Sequence, residues 1–509
     1  MSLEQHFAPF RANIIGIEQD FESPYGRKRI LYADWTASGR MFGPIEKMMS
    51  EEIAPYIGNT HTETTVTGTT MTRAYHEALR LIKAHVHASD EDAIICYGSG
   101  MTGVANKFQR ILGLRLHEKY RDRVTIPAAE RPVVFVTHME HHSNQTSWIE
   151  SIAEVRVIQA DAAGLVDLDH LDALLREYQE RPLKIASITS CSNVTGLITP
   201  YHAIAARMHR AGGMCFVDFA ASAPYITIDM HPGGDPEAWL DAIYFSPHKF
   251  LGGPGASGVL VFNKRLYTNR VPDNPGGGTV DWTNPWGEHK YFDDIEARED
   301  GGTPGFLQAI RAALCIRLKE AMGVEAIRQR ERELLDLVWD RLRAVRGLHL
   351  LADQHRDRLG IVSFYIDGLH FNLAVRLLND RYGIQTRGGC SCAGTYGHYL
   401  LHVSREHSRR ITDLIDRGDK TDKPGWVRAS LHPTMTDAEA HGLVDAIEAL
   451  SANHLTWAQD YRYDLHTNEY VHVQDTGAIG RRVNEWFDDF GTNAVTATAW
   501  EPMGLGYEI

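Results

Sequence analysis

The sequence predicts an α/β fold with a large, mainly parallel sheet, followed by a smaller α+β region. Six short apolar runs between residues 90 and 265 have the length and composition of buried strands. Helical patterns separate several of these runs, as expected for βαβ units, whose strands run parallel. Ligands of such sheets bind at the carboxyl ends of the strands. The polar residues that follow each run are therefore the first candidates for a functional site.

The elements of the larger region follow one another closely. The predicted strands are AIICY (93–97), VVFVTH (133–138), IASITS (185–190), MCFVDF (214–219), AIYFS (242–246) and GVLVF (258–262). The helical patterns between them are GVANKFQRILGL, LDHLDALLREYQ and YHAIAARMHRAG. A long helical segment follows at about 305–346. This order of elements favours one continuous sheet covered by helices.

The remainder of the chain is predicted to form a smaller mixed region and an extension. In the mixed region, about 347–452, the strands are RLGIVSFYI and GIQTRG, and the last helix is TDAEAHGLVDAIEALS. In the final stretch, 453–509, NEYVHVQDTGAIG suggests a hairpin. The sequence of this stretch indicates no function.

The bulk composition narrows the classes of function. The 509 residues include 52 Lys and Arg against 66 Asp and Glu, a formal charge of −14, which disfavours nucleic acid or anionic membrane as the main partner. The sequence has no apolar run of membrane-spanning length, and residues 1–21 lack the apolar core of a signal peptide. Six cysteines are too few for a disulfide scaffold. We expect a cytosolic protein with reduced thiols.

A glycine-rich turn follows the first predicted strand. In CYGSGMTGVANKF, residues 98–102 (GSGMT) join the strand to a helix, so that several N–H groups and the helix dipole converge on one point. Such a turn binds anions, and the hydroxyl of Thr102 can contribute. A turn without any ligand is the commoner explanation of this segment alone. It is not a Walker loop, because no G-K-[ST] follows.

A lysine and an aspartate follow two other strands. Lys249, in FSPHKFLGG, comes just after a strand, where desolvation would make it an amine nucleophile able to form a Schiff base. Asp218, in MCFVDFAAS, ends an apolar strand and needs a partner there, such as a protonated pyridine nitrogen. Alone, Lys249 would more often lie at the surface and Asp218 would cap a helix. Their order after the anion-binding turn favours a joint role.

Ten short motifs, in order along roughly residues 28–452, resemble the class V aminotransferase family of fold-type I pyridoxal-phosphate enzymes. Within that family they are most similar to the branch of cysteine desulfurases and selenocysteine lyases. The motifs are YADWTAS (32–38), GNTH (58–61), SGMT (99–102), MEHHSN (139–144), SNVTG (192–196), VDFAAS (217–222), FSPHK (245–249), GGTP (301–304), RGGCSC (387–392) and VRAS (427–430).

The resemblance implies pyridoxal 5'-phosphate as cofactor and a role for each matching residue. Lys249 would bind the cofactor covalently, and Asp218 would pair with its ring nitrogen. His141 would stack on the ring and help to move protons, and Asn193 would reach the ring hydroxyl or the substrate. Arg428 would bind the substrate carboxylate, which suits a bidentate guanidinium.

The resemblance also implies a phosphate site and a homodimer. The phosphate would be held by the turn and by residues after a later strand, namely Gly100, Met101, Thr102, Ser246 and His248. Thr303, in GGTP, would reach the phosphate of a neighbouring subunit. The chain departs from the family at Ala221, where a glutamine usually lies near the ring hydroxyl.

Two cysteines in RGGCSCAG (387–394) stand one residue apart. Counting five residues from Arg387, the resemblance makes Cys392 the nucleophile that takes sulfur from the substrate as a persulfide, with Gly388 and Gly389 giving the loop mobility. Cys390 would be accessory. Three other interpretations remain open: a metal site with His398 and His402, a redox pair, or unreactive cysteines in a transaminase, epimerase or other lyase.

The expected protein is therefore a homodimeric, cytosolic, pyridoxal-phosphate-dependent enzyme that removes sulfur or selenium from L-cysteine-type substrates. A sulfur-acceptor protein is an expected partner, and a metal, nucleic acid or membrane is not. A non-catalytic sulfur carrier or scaffold is the alternative of another class. The predicted domains are an N-terminal arm (1–27), a large cofactor-binding domain (28–310), a small C-terminal domain (311–452) and an extension (453–509).

Overall fold

The computed structural model of the chain describes residues 2–496. Its strands, in chain order, are β1 (Asp20–Ser23), β2 (Gly26–Arg29), β3 (Leu31–Tyr32), β4 (Asp92–Tyr97), β5 (Val133–Thr137), β6 (Glu154–Ile158), β7 (Lys184–Thr189), β8 (Met214–Asp218), β9 (Ala242–Phe245), β10 (Gly258–Asn263), β11 (Val280–Thr283), β12 (His289–Tyr291), β13 (Leu348–Leu350), β14 (Ile361–Ile366), β15 (Ile384–Gln385), β16 (Arg387–Gly389), β17 (Trp426–Ser430), β18 (Tyr461–Asp464) and β19 (Glu469–His472).

The structure has fifteen α-helices in the described residues. In chain order they are α1 (Leu3–Ala12), α2 (Gly43–Lys47), α3 (Val66–His85), α4 (Met101–Ile111), α5 (His142–Ile149), α6 (Leu168–Glu177), α7 (Tyr201–Arg210), α8 (Ile295–Glu299), α9 (Phe306–Met322), α10 (Val324–Ala344), α11 (Phe371–Tyr382), α12 (Gly394–Leu400), α13 (Arg405–Asp416), α14 (Asp437–Trp457) and α15 (Ala478–Thr496). None of the helices in this part of the chain combines the length and apolar character needed to cross a bilayer.

The large sheet has seven strands in the order β4-β10-β9-β8-β7-β5-β6. All neighbouring strands from β9 to β6 run parallel, and β10 runs antiparallel to both β9 and β4. The predicted α/β fold and its six strands are confirmed. The sequence prediction missed β6, because its residues EVRVI form a partly exposed edge strand without a continuous apolar run.

The predicted long helix at 305–346 is two helices, which is a correction. Gly323 separates α9 from α10 with a φ of +81°, a left-handed conformation that suits glycine. Buried residues of α9 belong to the core of the large sheet. Those of the second half of α10, from Leu334 to Leu342, belong to the core of the small sheet. The passage from one core to the other occurs within α10, because Ile327 still belongs to the core of the large sheet.

The small sheet is antiparallel, with the order β13-β14-β17-β16. Its core includes buried residues of α10, α11 and α14. The short strand β3 pairs in parallel with β15, so a segment near the N-terminus adjoins this smaller layer. The domain boundaries given above stay predictions.

The C-terminal hairpin is present, but its predicted position was wrong. We expected both strands within NEYVHVQDTGAIG, whereas β19, in the first half of that stretch, pairs with the preceding strand β18. Residues 465–468 form the turn, and the second half of the stretch begins α15. The signal for β18, the sequence YRYD, was missed because it is short and half polar.

Candidate active site

A cavity of about 450 Å³ lies between the carboxyl ends of the large-sheet strands and strands β16 and β17 of the small sheet. Most of the predicted site residues line it, namely Met101, Thr102, His141, Asn193, Asp218, Ser246, His248, Lys249, Cys390, Cys392 and Arg428. Gly100 lies beside it, next to Ser246 and His248. Thr303 does not line it and instead donates to Asn59 Oδ1 at 3.3 Å.

Lys249 lies on a short 3-10 turn, Pro247–Lys249, directly after β9. Burial, with a smaller contribution from the charges of Arg428 and Arg387, lowers the pKa of its amine to about 8, against the opposing charges of Asp218 and Asp34. A neutral lysine amine is a nucleophile, and the ordinary lysine pKa leaves almost none of it neutral at physiological pH. The cavity therefore prepares Lys249 for reaction with a carbonyl group.

Asp218 ends β8 and is almost fully buried in the floor of the cavity. Its Oδ1 accepts a hydrogen bond from the main-chain N–H of Ala220 at 2.8 Å. Burial raises the pKa of the carboxyl to about 6, while this hydrogen bond and the charge of Lys249 act to lower it. A buried carboxylate of this kind is a ready partner for a positively charged ring nitrogen.

The predicted anion-binding turn closes one end of the cavity. The hydroxyl of Ser246 accepts the N–H of Met101 at 2.8 Å, and Thr102 and Ser143 share a hydrogen bond of 2.7 Å. A side chain at position 100 would begin only 3.0 Å from Ser246 Oγ, so glycine keeps this space free. Hydroxyl groups, helix α4 and the ring of His248 therefore surround a pocket suited to a phosphate.

His141 caps helix α5. Its Nδ1 accepts the N–H of Ser143 at 3.1 Å, so the neutral ring carries its hydrogen on Nε2. Burial lowers the pKa of His141 to about 3, and the charge of Lys249 contributes. His141 is therefore a neutral hydrogen-bond donor at this position.

Arg428, on β17, is buried and belongs to a group of charged residues that the sequence interpretation did not join. Its Nη2 donates to Asp34 Oδ1 at 2.9 Å, and the other oxygen of Asp34 lies 2.9 Å from Arg387. Arg428 Nη1 donates to the carbonyl of Asn193 at 3.1 Å, while its Nε has no partner in the described residues. Two guanidinium groups thus share one carboxylate and keep donor capacity for an anionic ligand.

Asn193 connects the cavity floor to the cysteine loop. Its Nδ2 donates to the carbonyl of Ser391 at 2.7 Å, and its Oδ1 is buried without a hydrogen-bond partner in the described residues. A buried polar atom without a partner carries a free-energy cost of about 1–3 kcal/mol. The side chain of Asn193 is therefore available to a ligand in the cavity.

The cysteine loop follows β16 and forms part of the cavity wall. Cys392 is exposed and Cys390 is partly buried. Ser391 and Cys392 have φ angles of +50° and +56°, a left-handed conformation that is costly for residues with a side chain. Two contacts with His142 hold the loop: its N–H donates to the carbonyl of Cys392 at 2.7 Å, and its Nε2 accepts the N–H of Gly394 at 2.9 Å.

The geometry does not favour the alternative of a metal at this loop. Both ring nitrogens of His398 are engaged, one with the carbonyl of Gly394 and the other with Ser408 Oγ. Across residues 2–496 the structure has no group of three or more His, Cys, Asp or Glu side chains arranged to hold a metal ion.

Several residues of the cavity region were missed by the sequence interpretation as members of the site, and four of them carry charged or hydroxyl groups that bear on its chemistry. They are Asp34, Ser143, Arg387 and Lys423. Asp34, Ser143 and Arg387 lie within motifs that we quoted, but nothing in a single sequence shows that two arginines share one aspartate. Lys423 lies between α13 and β17, in a segment whose sequence carries no motif.

The chain belongs to the class V aminotransferase family, whose model matches residues 31–443. Members of this family depend on pyridoxal phosphate, and the chain is an enzyme of this class.

Two of its relatives are named as cysteine desulfurases. A probable cysteine desulfurase of Halalkalibacterium halodurans is 28% identical over 368 residues, which cover 72% of this chain and 84% of that protein. A cysteine desulfurase of Haloferax volcanii is 28% identical over 298 residues, covering 56% and 67% of the two chains.

Solved structures share the fold. The apo cysteine desulfurase of Thermococcus onnurineus matches with a TM-score of 0.69 and 21% identity, covering 87% of this chain and 98% of its own. The cysteine desulfurase CsdA of Escherichia coli matches with a TM-score of 0.66 and 22% identity over the same shares. The predicted family and the fold-type I architecture are thereby confirmed.

The residues of the cavity fit pyridoxal phosphate. The buried carboxylate of Asp218 suits the ring nitrogen, the amine of Lys249 suits the aldehyde, and the space kept by Gly100 suits the phosphate. Ala221 lines the cavity and presents only a methyl group where the family usually has glutamine. The hydroxyl of the next residue, Ser222, is already hydrogen-bonded to Ser190, whereas Asn193 Oδ1 has no partner among the described residues.

Proposed function

We propose that the chain is a pyridoxal-phosphate-dependent cysteine desulfurase, which converts L-cysteine to L-alanine and leaves the sulfur on Cys392. The observation that carries this proposal is that one cavity is lined by Lys249, Asp218 and Cys392 together. An aminotransferase site needs the first two residues, but it does not need a thiol on an exposed loop at the cavity wall.

Asp218 and Lys249 would hold the cofactor, with its phosphate against the turn at Gly100. When bound, pyridoxal phosphate supplies an electron sink that stabilises negative charge on the substrate carbons. The carboxylate of Asp218 keeps a proton on the ring nitrogen, which maintains that capacity. His141, neutral and with its hydrogen on Nε2, offers a donor rather than a charge.

Arg428 and Lys249 would orient the substrate and move its protons. The substrate carboxylate would bind the guanidinium of Arg428, whose Nε is without a partner, and Asp34 would keep that guanidinium in place. The amine of Lys249, with a pKa of about 8, can accept and return a proton at physiological pH.

Cys392 would take the sulfur. Its thiolate attacks the substrate sulfur, forming a new S–S bond while the bond between Cβ and sulfur breaks, and the electron pair of that bond stays on the carbon side. Protonation of Cβ then gives alanine. The sum is L-cysteine and one protein thiol converted to L-alanine and one protein persulfide, with no external oxidant or reductant.

Cys392 is exposed, so its sulfur is accessible to an acceptor protein or a small thiol. A homodimer is also part of this proposal, with Thr303 of each chain acting at the cavity of the other. Its support within one chain is that Thr303 is exposed and does not line its own cavity.

The test is to incubate the purified holoenzyme with L-cysteine and a thiol reductant, and to measure alanine and sulfide. We expect equal amounts of the two products. Cys392→Ala should reduce both by about 10²-fold or more, because the nucleophile is removed, whereas Cys390→Ala should retain most of the activity.

Two outcomes would contradict the proposal. If Cys392→Ala keeps full activity, the sulfur does not pass through this thiol. If neither cysteine nor selenocysteine gives alanine, the enzyme is a class V aminotransferase, epimerase or C–S lyase for another amino acid, and a panel of amino acids identifies it.

A further inference from the structure

The hairpin β18–β19 lies outside the part of the chain that matches the family and packs along the whole of helix α11. At the C-terminal end of α11, the hydroxyl of Tyr461 donates to Asp380 at 2.9 Å. In the middle, Arg376 Nε donates to the carbonyl of Tyr470 at 3.1 Å. Near the N-terminal end, Asn372 Nδ2 donates to the carbonyl of Asn468 at 2.5 Å. The hairpin is thus fixed to α11 at three levels.

The turn of the hairpin is well defined although it lies in an extension. Asn468 is 7% exposed and adopts a left-handed φ of +62°, which asparagine tolerates better than most residues. Its Oδ1 accepts the hydroxyl of Tyr463 at 2.8 Å. The carbonyl of His466, in the same turn, accepts Lys420 Nζ at 2.8 Å. The turn therefore contacts both α11 and the segment that leads back from α13 to β17.

The opposite side of Asn372 contacts the strand that carries the cysteine loop. A Cβ at Gly388 would lie 2.7 Å from Asn372 Oδ1, so the side chain of Asn372 packs directly against the main chain of β16. At Gly425, just before β17, a Cβ would lie 2.6 Å from the ring of Phe371. Small displacements of the start of α11 must therefore move β16, and Cys390 and Cys392 follow directly after it.

We propose that the hairpin turn is a brace for the sulfur-receiving loop, with Asn468 and Asn372 as positioning residues. The carbonyl of Asn468 fixes the amide of Asn372, the amide fixes the distance between α11 and β16, and β16 sets where Cys392 lies in the cavity. Residues 390–425 connect β16 to β17, and the cysteine loop is the first part of this connection. Lys420, near its end, is hydrogen-bonded to the same hairpin turn. This inference rests on the proposed role of Cys392 and gives the first part of the extension a function.

The test compares the full-length holoenzyme with Asn372→Asp, Lys420→Met and the control Phe487→Ser. Asn372→Asp keeps the shape of the side chain but replaces its donor with a carboxylate that faces the carbonyl of Asn468. Phe487 belongs to the same extension and is 77% exposed on α15. The first measurement is hydrogen exchange of the peptide containing residues 388–394, without substrate.

We expect exchange in that peptide to become at least about threefold faster in Asn372→Asp and in Lys420→Met, and to stay unchanged in Phe487→Ser. With L-cysteine, kcat should fall about tenfold in Asn372→Asp while KM stays within a factor of two, because Arg428 is untouched. A merely structural role would lower the amount of folded enzyme without this division between kcat and KM.

Unchanged exchange in both variants would overturn the brace. Lys420 is at the surface, so Lys420→Met decides the question even if Asn372→Asp does not fold. Hydrogen exchange does not depend on turnover, so the two proposals can fail separately. If the parent enzyme forms no alanine but exchange is faster in the variants, the brace is supported and the desulfurase is refuted. If the parent forms alanine but exchange in the variants is unchanged, the desulfurase is supported and the brace is refuted.

Discussion

The floor of the cavity and the cysteine loop differ in how far their reactive side chains are buried. Lys249 lies just after one strand of the large sheet and Asp218 ends another. Burial lowers the pKa of Lys249 and raises the pKa of Asp218, which favours the neutral form of each. Cys392 is exposed, in a left-handed conformation, on a loop held by Asn193 and His142 through hydrogen bonds to the backbone. Under the proposed function, the first region gains its reactivity from burial, while the second region reaches the substrate and then presents its sulfur to solvent.

The difference teaches where each kind of chemistry can be placed in this fold. Parallel strands that end side by side inside the protein give buried, fixed positions, which suit proton transfer and charge pairing. The loop after β16 is held through its main chain at Ser391, Cys392 and Gly394, which leaves the side chain of Cys392 exposed. Mutations in the floor should therefore act mainly on chemistry, and mutations in the loop mainly on reach.

The largest effect is expected from Lys249→Ala. Loss of the amine removes the covalent attachment and the principal proton carrier, so turnover of L-cysteine should fall by about 10³-fold or more. Borohydride reduction followed by peptide mass spectrometry should find the cofactor on Lys249 in the parent enzyme and nowhere in the variant. Lys264→Ala, outside the cavity, is the control and should behave as the parent does.

Residual turnover in Lys249→Ala close to that of the control would break the distinction between floor and loop. It would mean that the buried amine takes no part in the reaction, and that the lowered pKa of Lys249 has no catalytic role.

The next effect concerns the two arginines that share Asp34. Arg428 has a 3% exposed side chain and Arg387 a 49% exposed one, so the buried arginine should account for most of the carboxylate binding. Arg428→Gln should lower kcat/KM for L-cysteine by about 10- to 100-fold, and Arg387→Gln by only a few fold.

Cysteamine, which lacks the carboxylate, provides the control for that experiment. The preference for L-cysteine over cysteamine should shrink in Arg428→Gln. If it persists unchanged, the carboxylate binds elsewhere and Arg387 or Lys423 becomes the candidate.

A smaller effect is expected in the pH dependence of cofactor capture. Burial lowers the pKa of Lys249 from 10.5 to about 8, so capture of pyridoxal phosphate by the cofactor-free protein should become faster as pH rises, with a midpoint near 8. Between these two values the unfolded chain binds more protons at this lysine, so the folded cofactor-free protein should also gain stability as pH rises.

Asp218→Asn sharpens this test. The carboxylate of Asp218 raises the pKa of Lys249, so its removal should move the midpoint of capture below that of the parent. The midpoint is obtained from the rate of the absorbance change on mixing. A shift to higher pH would contradict the assignment of Asp218 as the charge that faces the amine.

The smallest effect is expected in the loop itself. Ser391 has a left-handed φ of +50° and a buried hydroxyl without a partner among the described residues. Ser391→Gly should therefore raise the free energy of unfolding by about 0.5–1 kcal/mol. Chemical denaturation measures this change, with Ser404→Gly as the control that loses an N-cap and becomes less stable. Destabilisation of Ser391→Gly would show that the loop is not strained.

How much the sequence could predict depended on whether a signal was local. The six buried strands and the residues at their carboxyl ends follow from short apolar runs, so Asp218 and Lys249 were found together with the fold. The association of Asp34 with Arg428 spans 394 residues, and no local pattern reports it. The hairpin was misplaced because β19 has the stronger strand signal, and its partner was expected in the residues after it. The true partner, β18, precedes it.

The cysteine loop was also predicted only in part from the sequence. The count from Arg387 selected Cys392, and the structure places both Cys390 and Cys392 at the cavity wall, one partly buried and the other exposed. The left-handed conformation of Ser391 and Cys392 has no sequence signal, since neither residue is glycine or asparagine. The contact between Asn372 and Asn468 was likewise beyond prediction, because it joins two segments without shared periodicity.

The central claim, that Cys392 receives the sulfur, is tested most directly by trapping the persulfide. The holoenzyme is mixed with one equivalent of L-cysteine, quenched with an alkylating reagent and digested, and the peptides are resolved by mass spectrometry. We predict one additional sulfur atom on Cys392, none on Cys390, and one alanine formed for each sulfur retained. Additional sulfur found on Cys390 alone, or alanine formed without sulfur on either cysteine, would contradict the account.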